Sequence, residues 1–141
     1  MSKVAVVYWS GTGNTEAMAN AVADGAKGAG AEVDVYQASD FDESKVADYT
    51  GLAFGCPAMG SEQLEDSEFE PMWDDVKGSL GGKNVALFGS YSWAEGEWMQ
   101  IWKESAEADG VTLCTDCVIA YEYPDDEAVE KCNALGAAVA K

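Results

Sequence analysis

The chain has 141 residues, a length that suits one domain, and 48% of them are apolar, enough to bury a sizeable core. Its 26 acidic residues against 8 basic ones leave a net charge of −18, which argues against nucleic acid and anionic membrane surfaces as partners. The same charge suits a soluble monomer steered electrostatically toward basic contact surfaces, and the absence of His excludes His-based triads, metal sites and acid–base chemistry.

Strand and helix signals alternate along the chain. The apolar run Val4–Trp9 predicts the first strand. It is short and ends in Ser10-Gly11 without a cleavage pattern, so it reads as core rather than a signal peptide, and the chain is expected in the cytoplasm. Residues Thr15–Gly28 follow with Met18, Val22 and Ala26 on one helical stripe. A strand over Glu32–Tyr36, a short helix over Asp42–Asp48 and a strand over Thr50–Gly55 come next. The segment Ser67–Lys77 carries the stripe Phe69, Met72, Trp73 and Val76, ahead of a strand over Asn84–Ser90. A helix over Gly96–Asp109 is predicted to bury Trp98, Ile101, Trp102 and Ser105. A last strand is read over Val111–Ala120, interrupted near Thr115-Asp116. The final helix, Asp125–Ala140, carries Ala128, Cys132, Leu135 and Val139, with acidic residues in its first turn where the helix dipole favours them. The wholly apolar strands imply cover on both faces, as in a parallel sheet. No linker or repeat divides the chain, and no run of about 18 apolar residues could span a membrane. Residues 1–141 are therefore expected to form a single α/β domain.

Four cysteines occur at positions 56, 114, 117 and 132. Cys114 and Cys117 have C-x-x-C spacing, but zinc would need a second pair or a His, and a thioredoxin-type pair would open a helix. All four are expected to be reduced, buried structural thiols.

Ligands of open α/β sheets bind at the carboxyl ends of strands where the strand order reverses, so the loops after strands one, three and four matter most. The first is Ser10-Gly11-Thr12-Gly13-Asn14-Thr15, at a strand-to-helix junction. Glycines allow a tight turn, and the helix N-terminus adds positive partial charge, so the loop forms an anion site suited to phosphate. A nucleoside-triphosphate loop would need Gly-Lys-Ser/Thr, which is absent here. A dinucleotide fingerprint would need Gly where Glu16 stands. What remains is a hydroxyl-rich cradle for one terminal phosphate. The loop after strand three, Cys56-Pro57-Ala58-Met59-Gly60-Ser61-Glu62, puts apolar side chains in a turn, which suits either a flat ligand or closure over the core. The loop after strand four, Ser90-Tyr91-Ser92-Trp93-Ala94-Glu95-Gly96, holds Trp93 ahead of the helix, placed to stack on a flat ring.

These three motifs resemble those of flavodoxins, and Tyr8–Glu16 looks like the start of the short-chain flavodoxins of anaerobic bacteria. The resemblance covers essentially the whole chain and implies a three-layer α/β/α sandwich around a five-stranded parallel sheet of order 2-1-3-4-5. It implies a non-covalent FMN as cofactor, with no metal and no catalytic residue. Ser10, Thr12, Asn14 and Thr15 would bind the phosphate, with Gly11 and Gly13 adding backbone N–H groups. Met59 would pack on the inner flavin face and Trp93 on the outer, within Gly89-Ser90-Tyr91-Ser92-Trp93. Glu62 would accept from ring N3–H, and the Gly60 peptide would face N5, with Pro57, Ala58 and Ser61 completing that loop. Ser90 would lie near the phosphate or ribityl chain, with Tyr91, Ser92 and Gly96 in the same loop. Close relatives often carry Gly at positions held here by Ser92 and Ala94, which makes this loop less pliable.

The function so implied is low-potential, ferredoxin-like electron transfer between redox proteins, cycling between semiquinone and hydroquinone. The surrounding carboxylates would disfavour the anionic fully reduced flavin and so lower the second potential. An alternative with the same fold is an FMN-dependent NAD(P)H:quinone reductase, although no added loop for a second substrate is visible. A receiver-type signalling module would need acidic residues where Ser10-Gly11 and Cys56-Pro57 stand.

Overall fold

The computed structural model describes residues 2–11, 13–57, 67–91 and 97–140. Five strands, β1 (Lys3–Tyr8), β2 (Glu32–Gln37), β3 (Gly51–Gly55), β4 (Asn84–Tyr91) and β5 (Val118–Tyr121), form one sheet of order β2-β1-β3-β4-β5. All four pairings are parallel, and the register runs from Lys3 opposite Glu32 at one edge to Tyr91 opposite Tyr121 at the other. The strand order reverses between β1 and β3, and sheets of this kind bind their ligands at the carboxyl ends beside such a reversal. The family-derived strand order and the alternating parallel architecture both hold.

Helices α1 (Asn14–Gly28) and α5 (Asp126–Val139) cover one face, while α2 (Glu43–Val46), α3 (Phe69–Val76) and α4 (Glu97–Ala108) cover the other. The α1–α5 face is built from small residues. A Cβ on Gly25 would lie 2.0 Å from the Asn133 carbonyl oxygen, and one on Gly136 would lie 1.9 Å from that of Val22. Only glycine lets the two helix backbones come so close. The opposite face is aromatic. Trp73 meets Phe54 and Trp102 edge to face at 5.1 and 5.5 Å, and Trp102 meets Phe69 in the same way at 5.4 Å.

The stripes predicted for α1, α3 and α5 are the buried ones. Helix α5 is started by Asp125, whose carboxylate accepts from the Ala128 N–H at 2.9 Å. Two expectations need correction. The α4 stripe is Trp98, Met99, Trp102 and Ala106; Ile101 and Ser105 point outward. A step of four from Trp98 leads to Trp102 and Ala106, and position 101 falls off that face. The last strand is also shorter than read. Leu113 makes an isolated bridge to Val85, and continuous pairing begins only at Val118. The thiols divide accordingly. Cys56 and Cys132 are buried, but Cys114 is exposed and Cys117 half-buried, because 114–117 leaves the sheet edge between those two anchor points.

Candidate functional site

Three loops meet at the carboxyl ends of β1, β3 and β4. After β1, the Trp9 N–H donates to the Gly55 carbonyl at 3.0 Å, fastening this loop to the end of β3. The Trp9 ring lies over Gly11, where a Cβ would stand 3.1 Å from it. Gly13 has φ of 94°, a left-handed conformation that turns the chain into α1, and its carbonyl accepts the first helical bond from Ala17 at 3.0 Å. The Gly13 N–H, expected to face a phosphate, donates to Ser10 Oγ at 3.0 Å. Ser10 and Asn14 are half-buried and reach solvent.

Thr15 is 1% exposed, and its hydroxyl lies 2.7 Å from that of Ser90, which is 4% exposed. This bond ties the first turn of α1 to the end of β4. Two hydroxyls share one bond, so one O–H proton remains to be donated elsewhere. The pair is thus a buried donor at the N-terminus of a helix, as an anion requires.

After β3, Cys56 is held from both sides. Its N–H donates to the Phe88 carbonyl at 3.2 Å, and its carbonyl accepts from Trp98 Nε1 at 3.3 Å. Pro57 follows and is half-buried. A Cβ on Gly89 would stand 2.2 Å from the Cys56 oxygen, so this glycine lets the end of β4 lie against the chain that leaves β3. Tyr91 packs on Trp98 and Tyr121, with ring centroids at 5.8 and 5.5 Å, and its carbonyl accepts from the Glu122 N–H at 2.6 Å. Glu122, at φ 54°, is the one non-glycine residue with positive φ among those described.

Of the residues singled out from sequence, Ser10, Gly11, Gly13, Asn14, Thr15, Pro57, Ser90 and Tyr91 are brought to this one edge. Thr12, Ala58, Met59, Gly60, Ser61, Glu62, Ser92, Trp93 and Gly96 lie outside the described residues.

A cavity of about 260 Å³ opens beside the first loop, lined by Tyr8, Trp9, Ser10, Gly11, Gly13, Glu16, Gln37 and Glu68. Five of these were not anticipated as site residues: Tyr8, Trp9, Glu16, Gln37 and Glu68. Gln37 could have been found from strand register, since it pairs with Tyr8 at the carboxyl end of the sheet. The Tyr8 hydroxyl donates to Glu16 Oε2 at 2.9 Å, and burial together with that carboxylate raises the phenol above its ordinary pKa. It therefore stays a donor. Glu16, which breaks the dinucleotide fingerprint, thus fastens α1 to β1. Among the described residues, no lysine lines this cavity. The donors present are hydroxyls, backbone N–H groups and a helix terminus, which suits a single phosphate held without a cation.

This architecture and donor set define a mononucleotide-binding doubly wound α/β protein. A family model described as flavodoxin matches residues 6–135. The flavodoxin of Megasphaera elsdenii is 48% identical over 138 residues, covering 98% of each chain. That of Clostridium beijerinckii is 41% identical over 135 residues, covering 96% of this chain and 97% of its own. The solution structure of two-electron reduced Megasphaera elsdenii flavodoxin superposes with a TM-score of 0.89 over 97% of this chain and 98% of that one. The chain belongs to the flavodoxin family, whose members carry electrons on FMN and are not enzymes. An NAD(P)H dehydrogenase (quinone) of Bradyrhizobium is similar over only 47% of this chain and 34% of its own. Among the described residues no helix is long and apolar enough to cross a membrane.

Proposed function

We propose that the chain is a low-potential one-electron carrier that works as a cytoplasmic monomer, folded as one domain over residues 1–141, between redox proteins with basic contact surfaces. The observation that carries this reading is the buried Thr15–Ser90 hydroxyl pair, at 2.7 Å, where α1 begins beside the strand-order reversal. It is a neutral donor site for a phosphate group, built into the scaffold. FMN, when bound, supplies the one-electron redox chemistry.

The chain's own residues bind and orient that group. Ser10, Thr12, Asn14 and Thr15 hold the phosphate with the Gly11 and Gly13 N–H groups, and the α1 terminus adds its dipole. Ser10 Oγ, which accepts from Gly13, can rotate to donate and release that N–H to the anion. Ser90 fixes Thr15 from β4. Pro57, Ala58, Met59, Gly60, Ser61 and Glu62 form the loop toward the flavin ring, with Met59 as its inner cover and Glu62 as acceptor for N3–H. Tyr91, Ser92, Trp93 and Gly96 form the outer loop, with Trp93 as its cover, and both covers exclude water.

The net charge of −18 opposes adding a further electron and favours basic partners. Stepwise reduction of the FMN-loaded protein, followed by its visible spectrum, is expected to give two well-separated one-electron steps. A single two-electron step would overturn the carrier reading, as would sustained NAD(P)H oxidation with quinone by the pure protein.

A further inference from the structure

The motif Cys114-Thr115-Asp116-Cys117 lies where β5 has not yet joined the sheet. Leu113 bridges Val85, and the Cys114 N–H donates to the Val85 carbonyl at 2.9 Å. Pairing resumes with Val118 opposite Phe88. Five residue steps on this side therefore run beside three on β4. Three steps of strand advance about 10 Å, whereas five would advance about 17 Å. The surplus must leave the sheet, and residues 114–117 form an arch. In a straight strand, residues three apart stand about 10 Å from each other, too far for a disulfide, which needs Cα atoms within about 7 Å. Residues 114 and 115 are both bends, so the chain between the two cysteines departs from that straight geometry.

The two sulfurs differ in exposure in the way a reactive pair requires. Cys114 is exposed and Cys117 half-buried, while Cys56 and Cys132 are sealed in the core. Cys117 also lines two cavities on either side of the arch. One, of about 560 Å³, is shared with Met99 and Lys103 of α4; the other, of about 340 Å³, with Lys131 and Leu135 of α5. A small reagent can thus reach both thiols.

We propose that Cys114 and Cys117 are a redox-active dithiol that closes to an intramolecular disulfide by exchange with a low-molecular-weight disulfide. The thiolate of exposed Cys114 attacks one sulfur of the reagent. The reagent's S–S bond breaks, one thiolate leaves, and a mixed disulfide forms on Cys114. Cys117 then gives up its proton and attacks the Cys114 sulfur, expelling the second thiolate. The two protein thiols lose two electrons and two protons, and the reagent gains both to leave as two thiols. Burial raises the Cys117 thiol above its usual pKa, with Asp116 and Glu107 adding to the effect and Lys103 opposing it; Glu97 and Lys131 also border its cavities. The closing step therefore accelerates with rising pH.

The test treats the FMN-loaded full chain with cystamine, a cationic disulfide suited to an acidic surface, and reads the intact mass after acid quench. The expected product has lost two hydrogens, retains no cysteamine and maps to a Cys114–Cys117 link. Cys117→Ser should trap one cysteamine on Cys114. Cys114→Ser should react at least about tenfold more slowly. A wild-type protein that keeps cysteamine on Cys114 while Cys117 stays a thiol would overturn the proposal. So would one in which neither thiol reacts, or one whose link involves Cys56 or Cys132. The wild-type mass alone decides the matter if a variant fails to fold.

Discussion

The two faces of the sheet are held by opposite means. On the α1–α5 face, Gly25 and Gly136 bring backbone against backbone, and alanines and valines fill most of the remaining space, with Met18, Phe88 and Leu135 among them. On the α3–α4 face, Trp73, Trp98, Trp102, Phe54 and Phe69 fill a wider gap with ring edges. The difference follows the work each face does. The close face sets the start of α1, whose N–H groups are proposed to grip a phosphate. The aromatic face supports the loop after β3 through Trp98, which donates to the Cys56 carbonyl.

If this contrast is right, the aromatic face should suffer from lost volume and the close face from added volume. Trp102→Ala is the largest expected effect. It removes two edge-to-face partners of a nearly buried ring and should cost about 3–5 kcal/mol in urea unfolding. Trp102→Phe keeps a ring there. It also removes an indole N–H that is buried with no acceptor among the described residues, and should cost less than about 1.5 kcal/mol. Equal losses in the two variants would show that the ring edges are not what holds this face.

The mirror experiment is Gly136→Ala. A helix interior gains about 1 kcal/mol from this change when nothing else intervenes. Here the added Cβ would stand 1.9 Å from the Val22 carbonyl oxygen, so α1 and α5 must separate. A net loss of about 2–3 kcal/mol is expected, together with weaker FMN binding as the start of α1 shifts. A neutral or stabilising outcome would mean that the two helices are free to part.

The same contrast explains what could be read from the sequence. Order and type of the elements were legible because β1, β3 and most of β4 are apolar runs and the stripes of α1, α3 and α5 repeat regularly. The turn after β1 was legible as a strand-to-helix junction, and it lies between Tyr8 at the end of β1 and Asn14 at the start of α1. The arch at 114–117 was legible only as an interruption near Thr115-Asp116. Its outward course follows from the pairing of Leu113 with Val85 and Val118 with Phe88, which forces the excess chain out of the sheet. The Thr15–Ser90 bond joins residues 75 positions apart, and local pattern is silent on such a contact. Ile101 misled for a related reason, because an apolar residue one step off a stripe looks like part of it.

A smaller effect tests the junction between the scaffold and the phosphate cradle. Thr15→Val keeps the shape but removes a hydroxyl whose partner, Ser90, is also buried. The cost to the FMN-free protein should be about 1 kcal/mol, and FMN affinity should fall by roughly tenfold. Fluorescence titration of FMN measures the second quantity. Thr12→Ala should weaken FMN as well, and unchanged affinity in both variants would refute the cradle assignment.

The smallest effect is one of pH and lies on the close face. Cys132, sealed between α5 and its neighbours, has its thiol pushed up to about 12 by burial, while an unfolded thiol titrates near 8.5. Between those values the native state keeps a proton that the unfolded chain has lost, so stability falls as pH rises. The contribution is intact below about pH 8.5 and is lost progressively toward pH 12, with a slope of at most about 1.4 kcal/mol per pH unit from this group. Cys132→Ala should lower stability at neutral pH through the lost sulfur, yet show a shallower alkaline decline than the parent. Cys117→Ala serves as the comparison, since its thiol is only half-buried and its pKa is raised less. Its alkaline slope should change less than that of Cys132→Ala, and the reverse order would place the tighter burial on the wrong face.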